Sequence, residues 1–226
     1  HTVSRALLRG LGARRRALPV QVHWSETPDE VEWLAAGTGP FAPLLGPSPR
    51  ITGLQALAAA GLLDGASLVH GNHPLVGEPE LVARAGASIV HCPGTHRFFG
   101  RDPFPWAQYR RAGVNLALGT DSLASNDRLD PLGELAVARQ ALPEVEPAEL
   151  YDAATRGAAR ALGLGGRVGE ITVGASADLV AYALLDGAAP GGQQPAAALF
   201  DAFTAGGVDV ESVWIGATLA ECVASD

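Results

Sequence analysis

The sequence predicts a parallel α/β fold, and three observations carry that prediction. Short apolar runs alternate with amphipathic, helix-forming segments. Four of those runs end in a residue able to bind a metal: LPVQVH in His23, ASLVH in His70, ASIVH in His91, and Gly113–Gly119 in Thr120-Asp121. After Gly163 the texture changes to Gly-rich turns and short β-prone runs, the mark of a separate β segment. Such alternation implies parallel strands joined by right-handed crossovers. In barrels of parallel strands, the C-terminal strand ends are where catalytic and metal-binding groups gather.

The elements follow in order. Thr2 or Ser4 is placed to cap a helix running to about Ala17, ahead of the strand Leu18–His23. Thr27-Pro28-Asp29-Glu30 starts a second helix, with a Thr cap, Pro at the first helical position and acids in the first turn. Gly37 to Pro49 is Gly/Pro-rich and reads as an irregular excursion. Helix Ile51–Ala60 precedes strand Ala66–His70, helix Glu78–Ala85 precedes strand Ala87–His91, and helix Pro103–Ala112 precedes the strand that delivers Asp121. Helices Asp130–Ala141 and Pro147–Leu162 complete this part. Beyond it, Val168–Val173, Ala177–Ala183 and Val208–Ile215 read as strands, with Asp186–Pro195 (DGAAPGGQQP) as a loop or linker and Trp214 and Ile215 as core.

Composition excludes several classes. The 226 residues are 47% hydrophobic with mean hydropathy +0.15, enough for a sizeable core and unlike a disordered chain. A net charge of −8 and a pI near 5.2 argue against a nucleic-acid surface or a basic membrane anchor. The one basic run, Arg14-Arg15-Arg16, reads as a solvated helix face. No apolar run approaches the ~20 residues of a spanning helix, and no secretion signal is read. Cys92 and Cys222 are too few for a disulfide framework, so a cytoplasmic location is expected. The chain has no methionine and begins at His1, so it reads as a fragment or a processed chain.

The residue types at the strand ends suit a particular chemistry. Imidazoles with one carboxylate fit zinc or another borderline divalent ion, leaving a position open for water. Such an ion brings the water's pKa towards neutrality and makes hydroxide available as nucleophile. Asp121 suits both metal binding and proton acceptance, with a helix N-cap as its structural alternative. Glu26, three residues after His23 in His-Trp-Ser-Glu, places a carboxyl group beside a ligand, where it could pass a proton to a substrate ring nitrogen. The alternative is a helix N-terminal acid favoured by the dipole. His70 suits either metal binding or polarising a developing oxyanion. His73 and His96 read as surface or supporting residues.

These motifs resemble those of the amidohydrolase superfamily, in particular its aminohydrolase and chlorohydrolase branch. The branch carries HxxE, H(C/G)xH, HxP and GTD after strands five to eight of a barrel. Here they are His23-Trp24-Ser25-Glu26, His70-Gly71-Asn72-His73, His91-Cys92-Pro93 and Gly119-Thr120-Asp121. The tail is similar too, in Gly157–Gly163 and Gly169–Asp178. The resemblance implies that residues 1–163 are the C-terminal half of a metal-dependent (β/α)8 TIM-type barrel. Residues 164–226 would be part of a small β-sandwich domain. It further implies that His23 and Asp121 bind one divalent ion (zinc first, iron or manganese as alternatives) with His70 beside them. Glu26 would contact and protonate the substrate ring, and His70 would hydrogen-bond the attacking water or leaving group. His1, His91 and Ser122 would face substrate.

The chain departs from the family in two places. The family's His-x-His after strand one is absent, so the N-terminal half of the same protein is an expected partner and this piece alone is expected to be inactive. Thr95-His96-Arg97-Phe98-Phe99 replaces a smaller run; Arg97 or Arg101 could meet an anionic group and Phe98 or Phe99 could stack on a ring, with packing under a lid as the alternative. The expected function is hydrolytic deamination of an aminated nitrogen heterocycle or nucleoside, adenosine-like or of the aminodeoxyfutalosine type, with metal-bound hydroxide as nucleophile. Triazine chlorohydrolysis is the lesser alternative within the branch. Outside it stands a non-catalytic ligand-binding α/β module with relic metal residues. No nucleic-acid or membrane partner is expected, and a homodimer is an option.

Overall fold

The computed structural model describes residues 2–15, 18–185 and 196–220. His1, Asp186–Pro195 and Cys222, with the expectations attached to them, lie outside the described residues. The elements run α1 (Arg5–Arg14), β1 (Gln21–Trp24), α2 (Pro28–Ala36), α3 (Ala42–Leu45), α4 (Gly53–Ala59), β2 (Ser67–His70), α5 (Glu78–Arg84), β3 (Ser88–His91), α6 (Pro93–Phe98), α7 (Trp106–Ala112), β4 (Asn115–Leu118), α8 (Pro131–Ala141) and α9 (Pro147–Asp152). A π-helical turn, Ala153–Gly157, and α10 (Ala158–Ala161) follow, then β5 (Leu179–Leu184), α11 (Ala196–Thr204), β6 (Val208–Ile215) and β7 (Thr218–Leu219). The chain forms two compact units. The first runs up to His91 and takes in Phe104–Ala117 and Ala161–Gly163; the second comprises Cys92–Pro103, Leu118–Arg160 and the residues from Leu164 on.

The first unit is built on a sheet of order β1-β2-β3-β4. Strands β1 and β2 pair in parallel, with His23 opposite Val69 and Trp24 opposite His70, and β2 pairs in parallel with β3. All four residues of β2 and of β3 are buried, as expected of parallel strands covered on both faces. Leu68 and Ile89 on the strands, and Leu54, Leu57, Val82 and Trp106 on the helices, are buried and form the core of this unit. Helix starts follow local chemistry. Ser4 caps α1 by accepting from Leu7 N–H, Thr27 caps α2, and Thr52 and Gln55 form a reciprocal capping box on α4. Arg15 donates to the carbonyls of Gly61 and Asp64, which gives one member of the basic run a specific anchor in place of a solvated face.

The second unit packs α8, α9 and α11 together and carries an antiparallel sheet of order β5-β6-β7. Tyr151 meets Phe200 and Phe203, and Phe203 meets Tyr182 edge-on at 4.9 Å. Three expectations need correction, and two helices, α6 and α11, lie where none was expected. Val168–Val173 is not a strand: Gly169 and Gly174 adopt φ of 85° and 90°, which breaks extension at both ends, and Ile171 and Val173 are exposed. The run after His91 is a helix, α6, because Pro93 sits at its first turn. The Gly37–Pro49 excursion contains α3, and α11 occupies an Ala-rich stretch that carried no strand or helix expectation. Ile215 is 64% exposed and so is not core, since β6 at that end pairs only with the two-residue β7. Among the described residues, no helix is long and apolar enough to cross a membrane.

Candidate functional site

In the first unit, β1 and β2 end side by side and bring three sequence-predicted residues together. The rings of His23 and His70 lie 5.2 Å apart between centroids, tilted by 39°. His70 Nε2 is 3.7 Å from Glu26 Oε2. His70 is buried, Glu26 is half-exposed and His23 is exposed. The donor set is of the right type for a borderline divalent ion, since neutral imidazole is a common zinc ligand. A carboxyl group next to His70 adds a proton carrier within reach of the same space.

The backbone that presents these groups is unusual. Ser25 and His70 have φ of 53° and 76°, the left-handed region that non-glycine residues rarely enter. Gly71 continues the turn at φ 63°, where a Cβ would lie 2.8 Å from the Tyr109 hydroxyl oxygen. That hydroxyl donates to the Gly71 carbonyl at 2.6 Å. Gly71 N–H donates to Trp24 O and Asn72 N–H to Ser25 O, so the two strand-end turns are laced together. Ser25 Oγ–H donates to the His73 carbonyl, which gives His73 a backbone role.

Two acids in this region, which the sequence places in the first turns of helices, do more than serve those helices. Glu30 is buried and accepts from the Ser25 and Glu26 amides, both at 3.0 Å. Charge-assisted bonds of this kind contribute about 1.5–3 kcal/mol each. The sequence cue for Glu30 was the Thr-x-x-Glu spacing from Thr27, a capping-box signature. Glu78, also buried, accepts from Leu75 N–H at 2.7 Å. Burial pushes its carboxyl pKa up, against the opposing hydrogen bonds from Leu75 and Thr52. Tyr109 is likewise pushed up, first by burial and then by the Glu78 charge. A raised carboxyl pKa means that the folded chain holds the proton more tightly than the unfolded one. The stability linked to Glu78 is therefore present below the unfolded carboxyl value and lost as pH rises through the folded value. Glu78→Gln should then gain stability relative to wild type between pH 4 and pH 7, read as the difference in urea midpoints. No such pH-dependent difference would refute the burial effect.

His91 occupies a different environment. It is 1% exposed and stacks on Phe104 with centroids 4.0 Å apart.

In the second unit, Asp121 follows β4 in the chain and has φ of 58°. It is no helix cap: the next helix starts at Pro131, capped by Asp130. Its backbone is held from one side by Asn126, whose amide donates to Thr120 O at 2.8 Å and to Glu134 Oε1 at 2.5 Å. The other Glu134 oxygen accepts from Gly94 N–H at 2.8 Å. Burial raises the Glu134 pKa; the bonds from Gly94 and Asn126 and the Arg97 charge oppose that, and Asp130 reinforces it. Asn126 and Glu134 carry no sequence signature of this role, because their link to Thr120 exists only in three dimensions. Ser122 is exposed and its hydroxyl accepts from Ala124 N–H. Arg97 is exposed on α6, and His96 Nε2 meets the Asp102 carbonyl at 2.7 Å.

Residues 2–219 match the amidohydrolase family. The chain belongs to that family. Its relatives include an aminodeoxyfutalosine deaminase of Deinococcus radiodurans, 35% identical over 180 residues, 72% of this chain and 43% of the relative. A 5-methylthioadenosine/S-adenosylhomocysteine deaminase of Halobacterium salinarum is 39% identical over 175 residues, 74% of this chain and 38% of the relative. Among solved structures, an adenosine deaminase from Xanthomonas campestris with bound zinc superposes with a TM-score of 0.75 at 30% identity, covering 96% of this chain and 49% of that one. This amidohydrolase chain thus spans less than half the length of the curated relatives it matches.

Proposed function

We propose that this chain is the catalytic C-terminal half of a metal-dependent aminohydrolase that deaminates a nucleoside or related nitrogen heterocycle. The observation that carries the reading is the 3.7 Å approach of Glu26 to His70 beside the His23 ring, a proton carrier next to metal-type ligands. Residues 1–163 would form half of a (β/α)8 barrel and 164–226 part of a small β domain. The parallel first sheet, the antiparallel second one and the half-length match to relatives support that division. The other half of the barrel would come from the same protein.

His23 and Asp121 would hold one divalent ion, with His70 beside them, because imidazole and carboxylate donors together suit such an ion. Zinc is the first choice, by ligand chemistry and by the zinc bound to the Xanthomonas relative. Such an ion, when bound, acidifies water and thereby supplies the nucleophile. Asp121 accepts the proton of the attacking water. Glu26 protonates the ring nitrogen next to the carbon under attack, and His70 hydrogen-bonds the incoming oxygen or the departing amine. A C–O bond forms, the exocyclic C–N bond breaks, and the amine leaves as ammonia with the transferred proton. His1, Arg97 and Ser122 are assigned to substrate, whereas His91, expected at the sequence level to face substrate, is 1% exposed and stacked on Phe104 and is given a packing role.

The test is ammonia release by the full-length protein, including any residues encoded ahead of His1. Adenosine, 5-methylthioadenosine, S-adenosylhomocysteine and aminodeoxyfutalosine form the panel, the last three chosen from the relatives' names. Release from at least one, abolished by chelation and restored by zinc, with about one ion per chain, is the expected result. Metal-free protein inert on the whole panel would favour a ligand-binding module instead.

A further inference from the structure

We infer that Glu30 is a positioning residue, one that sets the place of Glu26 and acts on the reaction only through it; the inference rests on the deaminase reading above. Glu30 is 3% exposed, on the first turn of α2. A first-turn acid ordinarily serves the helix's own open N–H groups. Glu30 does otherwise. The Thr27 hydroxyl takes the Glu30 N–H, and the Glu30 carboxylate turns back past the cap to the N–H groups of Ser25 and Glu26. Two successive amides can point into one carboxylate only where the backbone curls between them, and Ser25 at φ 53° supplies that curl. The bonds lock a conformation that a serine adopts at a cost, and the residue locked in place is Glu26.

A second contact holds Glu26 from the other side. Asn72 Nδ2–H donates to the Glu26 carbonyl at 3.1 Å, and Asn72 N–H donates to Ser25 O. Asn72 lies two residues after His70, so the same brace ties the Glu26 turn to the turn that carries the imidazole. The backbone that presents the Glu26 and His70 side chains, which lie 3.7 Å apart, is thereby braced on both sides. In Glu30→Gln the side-chain amide keeps one acceptor and presents N–H groups to an amide N–H, so one bond is lost and replaced by repulsion.

The experiment uses the full-length, metal-loaded protein and has two arms. Hydrogen exchange should show the Ser25 and Glu26 amides protected in wild type and exchanging at least ~10-fold faster in Glu30→Gln. In steady-state kinetics Glu30→Gln should lower kcat by about 10–100-fold, with KM changed far less and bound metal retained. In a Glu26→Gln background the same substitution should cost less than about 2-fold, because its route to the reaction is already gone. Asn72→Ala, milder and further from the helix, should show the same pattern with a smaller loss, and it carries the test if Glu30→Gln does not fold. Unchanged exchange at Ser25 and Glu26, or an equal penalty with and without the Glu26 carboxylate, overturns the inference. A wild-type protein that releases no ammonia overturns the deaminase reading and the kinetic claim with it, while the exchange arm alone still decides whether Glu30 holds this turn.

Discussion

Asp121→Asn in the full-length protein is expected to lower kcat by ~10³-fold or more, because it removes the proposed acceptor of the attacking water's proton. Bound divalent metal should fall with it, since a neutral amide oxygen is a poorer ligand than a carboxylate. Asparagine enters the left-handed region as readily as aspartate, so the φ of 58° is kept and the loss reports chemistry, not a broken turn. Ammonia release and metal content on one preparation check both effects. Turnover within about tenfold of wild type would remove Asp121 from the reaction.

Glu26→Gln should act differently. It removes the carboxylate 3.7 Å from His70, the proposed proton carrier, and leaves the proposed ligands untouched. The expected result is a fall in kcat of about 10²–10⁴-fold with metal content unchanged. Set against Asp121→Asn, the pair separates proton delivery from metal retention. A Glu26→Gln protein that loses its metal would show that this carboxylate serves the ion.

The strands were legible because SLVH and SIVH are fully buried apolar runs cut off by a polar residue, and such runs admit few alternatives. The α6 helix was hidden by its own composition. Pro93 at the first turn is a good start, but the Gly94 that follows reads as loop, and the helix lasts only six residues. Val168–Val173 failed for the opposite reason. Its β-branched residues suggested a strand, whereas the glycines on either side fixed the backbone. At the site, His23, Glu26 and His70 were legible because their chemistry resides in the side chain itself. Glu30 was not, because its partners depend on the left-handed turn at Ser25, which no residue type at that position announces. The Glu134–Asn126–Thr120 chain was out of reach likewise, joining residues through a buried carboxylate whose neighbours sequence spacing cannot reveal.

The left-handed backbone at His70 and Asp121 also narrows how such a protein can diverge. Asp, Asn and His are the side chains that tolerate this region best after glycine, so the backbone and the proposed chemistry select from nearly the same short alphabet. A β-branched or bulky replacement at either position disturbs the turn as well as the donor, which closes most single-step routes through them. Variation that alters preference while keeping the reaction must then accumulate elsewhere. Phe98 and Phe99, exposed edge-to-face at the end of α6, carry no comparable backbone demand and are free to drift.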